Sequence, residues 1–459
     1  MIVSNVSFLE SELADVARLF GADEPIFHTF SENGKGCENV FSSQGEAYRR
    51  EDGALPDDEI VKKRLMKRYA KLGLFEFLRR RHFIPTPWGA LTGIRPTKLA
   101  YMEKEAGGDW KDLFEKSYVS KENIALVEDI LRAQEGIYEK KDGNSDLFVS
   151  IPFCPSKCVY CSFITADIRY TGKYLDEYVD KLTYELSFAG ELVGNLKSVY
   201  IGGGTPLVLS ERQLERVLAA VAPLRANGCE YTVEAGRPDV FTEEKLALLK
   251  AYGVTRICVN PQSLNDKTLE RIGRKHTGAD VFRAFEQARK YGFDVNMDFI
   301  AGLTGETCEE FVDSLCRAVA LCPENITVHS LCLKSGAKLK EETSFLDGGE
   351  TSRMIDASRA LLREAGYEPY YMYRQKYQAG NGENTGWTKK GKACVYNIDI
   401  MEEVADNPAV GANAVSKKVY TALNRIERYG SPKDIPTYLT KVDEVIRKKR
   451  ELFSPREER

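Results

Sequence analysis

The chain has 459 residues, a formal net charge of -4 and 29% charged residues, a balance that argues against nucleic acid or an anionic membrane as its main partner. Hydrophobic residues at 43% suffice for a large core, and the length predicts two or three domains. No run of about 18 apolar residues occurs, which excludes a membrane-spanning helix, and 11 cysteines scattered behind an acidic, signal-free start predict reduced thiols in the cytoplasm and no disulfide frame.

Residues 1–145 read as an N-terminal accessory domain of mixed α+β character. A short alternating stretch opens it, and from Glu59 to His82 the pattern is helical and basic, with Lys62, Lys63, Arg64, Lys67, Arg68, Lys71, Arg79, Arg80 and Arg81 close together. Such a run is ordinarily a solvated helix face. Its functional reading is an anion-binding surface for a polycarboxylate or for RNA. Gly and Pro then punctuate Leu91-Thr92-Gly93-Ile94-Arg95-Pro96-Thr97-Lys98, a turn that carries two cations three residues apart.

From Asp146 a strand-then-helix rhythm predicts a parallel sheet with crossover helices. Strands are expected at Leu147–Phe153, Ser198–Ile201, Tyr231–Ala235, Arg256–Asn260, Asp294–Ile300 and Ile326–Leu331, with amphipathic helices such as Tyr174–Leu192 and Glu306–Leu321 between them. Six such units imply an α/β fold, a partial (β/α)6 TIM-like barrel over 146–375. The unusual residues fall where these strands end, and loops at that end of an α/β barrel converge on one mouth.

The first strand runs into a Pro-bearing loop with Cys154, Cys158 and Cys161. The spacing C-x3-C-x2-C offers three thiolates and no fourth ligand nearby, Cys229 and Cys258 being the next candidates. An open iron–sulfur cluster fits this pattern better than a closed zinc knot, with a zinc site completed from afar as the alternative. Gly202-Gly203-Gly204-Thr205-Pro206 follows the second strand, either a tight turn or a place where backbone approaches a ligand closely. Glu234 ends the third strand, where a carboxylate needs a partner, in Arg237, Arg256 or a ligand. Gln262 follows the fourth strand and Arg274 lies beyond it. Asp298 closes the fifth, as a helix cap, an arginine partner or a ligand contact. His329 in the sixth reads as a satisfied core residue.

The stretch Ile151-Pro152-Phe153-Cys154-Pro155-Ser156-Lys157-Cys158-Val159-Tyr160-Cys161 resembles the cluster loop of radical S-adenosylmethionine (SAM) enzymes of the oxygen-independent coproporphyrinogen III oxidase family. LTGIRPTK is similar to a signature of the HemZ-type coproporphyrinogen dehydrogenases. The resemblance implies that Cys154, Cys158 and Cys161 bind a [4Fe-4S] cluster whose open iron takes the amino and carboxylate groups of SAM, with Tyr160 beside them. It further implies that Gly203, Gly204 and Thr205 hold the methionine moiety, Glu234 the ribose and amino-acid part, Gln262 the ribose and Arg274 the carboxylate, with Asp298 near the nucleoside. The implied activity is that of a radical SAM oxidoreductase. Reductive cleavage of SAM gives a 5′-deoxyadenosyl radical, and two propionates of coproporphyrinogen III lose carbon dioxide to leave vinyl groups. The implied partners are a tetrapyrrole, coproporphyrinogen III or haem, and an electron donor such as flavodoxin or ferredoxin.

The remaining segment, 376–459, reads as a small C-terminal substrate-side or lid region. Its Gly-, Asn- and Lys-rich run Gln378–Lys392 reads as a connection or lid. Tyr373-Arg374-Gln375-Lys376-Tyr377 resembles the family's substrate side, and Arg95, Lys98 and Arg374 are candidates for a basic rim around a tetracarboxylate. Gly411-Ala412-Asn413-Ala414-Val415-Ser416 resembles its small-residue loop, with Asn413 in place of Gly and tolerant of a positive φ. Three other positions depart from the better-defined oxidases: Phe163 replaces a cysteine, Ser150 replaces a histidine, and Thr304 replaces proline in the usual GLPGE. These leave room for a relative that binds haem and passes it on, or modifies it.

Overall fold

The computed structural model describes residues 1–93, 95–226, 228–332, 348–375, 378 and 382–454. They form two units, Met1–Glu128 joined by Arg374–Lys376, and Asp129–Tyr373 joined by Tyr377–Arg459.

In the first unit β1 (Ile2–Ser4) runs parallel to β2 (Ile26–Asn33), which continues antiparallel into β3 (Gly36–Ser43) and β4 (Glu46–Gly53). Gln44 and Gly45 join the last two strands with φ of 51° and 82°, the doubly positive geometry that suits the twist of a tight hairpin. The basic run is helical over Glu59–Arg79, with Asp58 accepting from the amides of Ile60 and Val61 at its start. One side of this helix buries Ala70, Leu74, Phe75 and Leu78 in a core shared with Leu9, Leu13, Val16 and Phe41. Most of its cations are neutralised on the other side. Lys62 pairs with Glu32 at 2.8 Å, Lys67 with Glu12 at 3.0 Å, and Arg81 with Glu24 at 3.3 Å. For those residues the solvated-face reading holds.

The second unit is built on a nine-stranded sheet. Six parallel strands form its centre: β5 (Asn144–Ile151), β6 (Asn195–Gly203), β7 (Glu230–Gly236), β8 (Arg256–Val259), β9 (Asp294–Ala301) and β10 (Asn325–Ser330). Each corresponds to an expected strand. The first stops at Ile151, before Phe153, because Pro152 has no N–H to extend the ladder. The expected helices are present as Leu175–Leu186 and Cys308–Ala320, the second opened by a capping box between Thr307 and Glu310. The sheet stays open. Beyond β10 it adds β12 (Asn384–Thr388) and β11 (Glu368–Tyr373) in antiparallel pairing, and beside β5 the short parallel β13 (Ala409–Val410).

The strand β12 corrects the reading of Gln378–Lys392 as connection or lid. Asn384–Thr388 is buried throughout and hydrogen-bonded on both sides. Gly386, which reads as a turn signal, is there for the ring of Tyr371: a Cβ at this position would lie 1.8 Å from Tyr371 Cε1. Lys376 and Tyr377, from the expected substrate side, lie outside the described residues. Arg374 is buried in the first unit, its guanidinium over the Trp88 ring at 4.9 Å and donating to the Leu91 carbonyl. The C-terminal helix Ile435–Phe453 is tied to the Leu175–Leu186 helix by the wholly buried Lys449, which bonds to Glu185, and by Tyr438 Oη, which donates to Glu185 at 2.7 Å.

Candidate functional site

The strand ends of β5 to β9 bring most of the singled-out residues to one rim of the sheet. Cys154, Cys158 and Cys161 follow β5, Cys158 buried and the other two partly so. Gly204 lies against this loop so closely that a Cβ would stand 2.5 Å from the Phe153 carbonyl oxygen and 2.6 Å from that of Ile151. Its neighbour Gly203 has φ +95°, so both positions require glycine for a physical reason. Thr205 continues the contact, its amide donating to Phe153 O at 2.7 Å and its hydroxyl lying 3.6 Å from Cys154 Sγ. The glycine turn and the cysteine loop therefore form one surface.

Glu234, at the end of β7, has neither of the arginine partners its position invites. Arg237 is committed to Asp239 at 2.8 Å and Ser156 Oγ at 2.7 Å, and Arg256 to Glu230 at 3.4 Å. The carboxylate instead accepts from Tyr200 Oη at 2.9 Å and from the Gly203 amide at 3.2 Å. Burial, offset in part by these donors, pushes its pKa up to about 7. Asp298 on β9 behaves differently. Burial alone would raise it, but the nearby His329 imidazole, a hydrogen bond from Asn296 at 2.8 Å and the Thr327 hydroxyl hold it below the usual carboxylate range.

Gln262 has φ 71°, a left-handed conformation that costs a non-glycine residue about 1–2 kcal/mol. Its amide donates to Asp298 O at 2.9 Å, which fixes the backbone, while its buried Oε1 has no hydrogen-bond partner. Arg274 reaches from beyond β8 to the carbonyl of Asn260 and, at 3.0 Å, to Tyr160 Oη, beside Cys158. Its Nε is buried and unpartnered. These two unsatisfied buried polar atoms at the rim are open to completion by a ligand.

Two residues of this rim were not singled out as site residues. Tyr200 carries Glu234. His329 lies 3.8 Å from Asp298 through Nε2 and 3.3 Å from Tyr373 Oη through Nδ1, so it belongs to the rim network and is not a closed core histidine. Each of these links crosses between strands far apart in the chain, which leaves no local pattern to find. The small-residue loop lies behind the rim, where Ser150 Oγ donates to Ala412 O at 2.8 Å, and Asn413 adopts the expected positive φ, 56°.

Comparison with known proteins places this chain in a family. The Radical SAM superfamily pattern matches residues 148–316. The oxygen-independent coproporphyrinogen-III oxidase-like protein HemZ of Bacillus subtilis is 36% identical over 81% of this chain and 78% of its own length. The chain belongs to this family of radical SAM proteins. The heme chaperone HemW of B. subtilis is 37% identical over 41% of this chain and 50% of its own length, and HemW of Escherichia coli is 27% identical over 60% of this chain and 70% of its own. In fold, the chain resembles coproporphyrinogen III oxidase (HemN) of E. coli, with a TM-score of 0.54 at 21% identity over 69% of this chain and 72% of that one.

Radical SAM proteins use a [4Fe-4S] cluster and SAM, and the rim of this family member fits both. Burial pushes the Cys154 thiol up to about 11 and raises Cys161, a penalty that coordination to iron reverses. Among the described residues no three His, Cys, Asp or Glu side chains gather closely enough to hold one metal ion. A cubane presents a separate corner iron to each sulfur and asks for a wider set than a single zinc does. The glycine cradle and the unpartnered Gln262 and Arg274 atoms supply room and hydrogen bonds for a polar ligand beside it.

Proposed function

We propose that Cys154, Cys158 and Cys161 hold the cluster, that Tyr160, Gly203, Gly204, Thr205, Glu234, Gln262, Arg274 and Asp298 hold SAM, and that the chain oxidatively decarboxylates coproporphyrinogen III to protoporphyrinogen IX. The loaded, reduced cluster supplies an electron to SAM and so a 5′-deoxyadenosyl radical. The chain's own residues bind and orient. Gly203 and Gly204 admit the methionine part against backbone. Arg274, fixed by Tyr160, faces its carboxylate. Asp298, held ionised, and Gln262 accept from ribose hydroxyls, and Glu234 accepts from hydroxyl or amino groups once deprotonated. The observation that carries this reading is the convergence of three thiols, a glycine cradle and two unpartnered buried polar atoms on one rim.

The tetrapyrrole substrate is supported by the coverage and name of the HemZ relative. A protein donor of the flavodoxin or ferredoxin kind would reduce the cluster in the cytoplasm. Haem carriage is the second reading, favoured by the HemW relatives and by Phe163 and Ser150 where the better-defined oxidases have cysteine and histidine. Anaerobic incubation with coproporphyrinogen III, SAM and dithionite separates the two. Loss of two carbon dioxide units by mass is expected; SAM cleavage without that loss would overturn decarboxylation in favour of haem handling.

A further inference from the structure

The helix Glu59–Arg79 ends in a cleft that the radical chemistry does not use. The cleft has a volume of about 520 Å³, within the ~300–1,000 Å³ common for ligand sites, and all its lining residues belong to the N-terminal unit. Arg80 lies over the ring of Tyr48 at 4.3 Å and Arg79 over that of Tyr118 at 4.6 Å. Both phenols are fixed from below. Tyr48 Oη donates to Glu76 at 2.7 Å and Tyr118 Oη at 3.2 Å, while Arg50 neutralises Glu76 at 2.7 Å. The two guanidinium planes are thus held flat on anchored rings, with their edges free to donate. Beside them Phe83 is 94% exposed and Ile84 45% exposed.

The charge here is also uncompensated. Lys62, Lys67, Arg68, Lys71 and Arg81 of the same basic run each meet a carboxylate, whereas among the described residues Arg79 and Arg80, like Lys63 and Arg64 nearer the start of the run, are in no ion pair. Two uncompensated planar cations next to a bare aromatic ring are complementary to a flat, conjugated, anionic ligand. Its carboxylates would take the guanidinium edges and its ring the faces of arginine and Phe83.

We propose that this cleft binds a conjugated tetrapyrrole bearing carboxylates, haem or a free-base porphyrin; the identity of the ligand rests on the tetrapyrrole reading above. A porphyrinogen, whose saturated bridges break the plane, fits poorly. Iron is not required, because the contacts argued here are to the ring face and the carboxylates. Single-stranded RNA would also stack, but the net charge of -4 favours a small ligand.

The test is fluorescence titration of the full chain with coproporphyrin III, haemin, coproporphyrinogen III and poly(U) at about 0.15 M salt. Coproporphyrin III and haemin should bind alike within about threefold, and coproporphyrinogen III about tenfold more weakly. Arg79→Ala with Arg80→Ala should weaken porphyrin binding about tenfold or more while SAM cleavage is unchanged, and Arg79→Lys with Arg80→Lys should restore it only in part. Phe83→Ala, at an exposed position, should weaken it severalfold and serves if the double variant misfolds. Porphyrin binding unchanged in these variants, or poly(U) displacing porphyrin from the wild type, overturns the proposal. Loss of binding in the variants together with no decarboxylation by the wild type leaves the cleft standing and removes only the barrel's assigned reaction.

Discussion

Where the parallel strands begin, buried charges meet opposite charges: Arg256 pairs with Glu230 at 3.4 Å and bonds to Asn325, and Lys197 pairs with Asp399 at 2.7 Å beside Asp146. Where the same strands end, Glu234 has only neutral donors, Gln262 Oε1 and Arg274 Nε have none, and Gln262 occupies a strained conformation. Both ends bury polar side chains in one sheet. The first end pairs its buried cations with carboxylates, which favours a single stable arrangement, and the second gives Glu234 neutral donors only, an arrangement open to something that arrives later. The division matches the general use of the two faces of an α/β barrel, stability at one and chemistry at the other.

Substitutions at the two ends should separate stability from ligand binding. Arg256→Ala strands Glu230 as a buried charge and should lower unfolding free energy by about 3–5 kcal/mol in a denaturant titration, with SAM affinity of the folded protein unchanged. Gln262→Gly should do the reverse. Removing a left-handed non-glycine residue should stabilise by about 1 kcal/mol, while loss of the amide should weaken SAM binding about tenfold in calorimetry. A Gln262→Gly protein that is less stable and binds SAM normally would break the comparison.

A smaller effect sharpens it. Glu234 titrates at about 7, above its ordinary 4.5, so the folded state holds a proton that the unfolded chain has released between those values. Its contribution to stability is therefore present below the ordinary value and lost as pH rises through about 7. Binding runs the opposite way, because the carboxylate accepts from ligand hydroxyl and amino groups at both oxygens and more strongly than the neutral acid does. SAM should bind severalfold more tightly at about pH 8 than at about pH 6, and Glu234→Gln should flatten that dependence.

Much of this was legible along the chain because the signals are local. The cysteine spacing, the glycine run and each of the six strands lie within a few residues, and the structure forms the six strands where that rhythm implies. What was not legible depends on contacts between distant segments. Tyr200 reaches Glu234 on the neighbouring strand, 34 positions on, and His329 links Asp298 to Tyr373 over 75 positions of chain. Gly386 reads as a loop residue until the Tyr371 ring is seen against it. The cleft at the end of the basic helix needs Tyr48, Tyr118 and Phe83 together, from a strand and two separate loops.

The central claim is that the open rim is a radical SAM site, and it is tested most directly by product analysis under strict anaerobiosis. Protein reconstituted with iron and sulfide, then given SAM and dithionite, should release 5′-deoxyadenosine and methionine in equal amounts, and Cys158→Ala should lose both the iron and the products. Zinc in place of iron, an unchanged iron content in Cys158→Ala, or no 5′-deoxyadenosine from the loaded wild type would contradict the account.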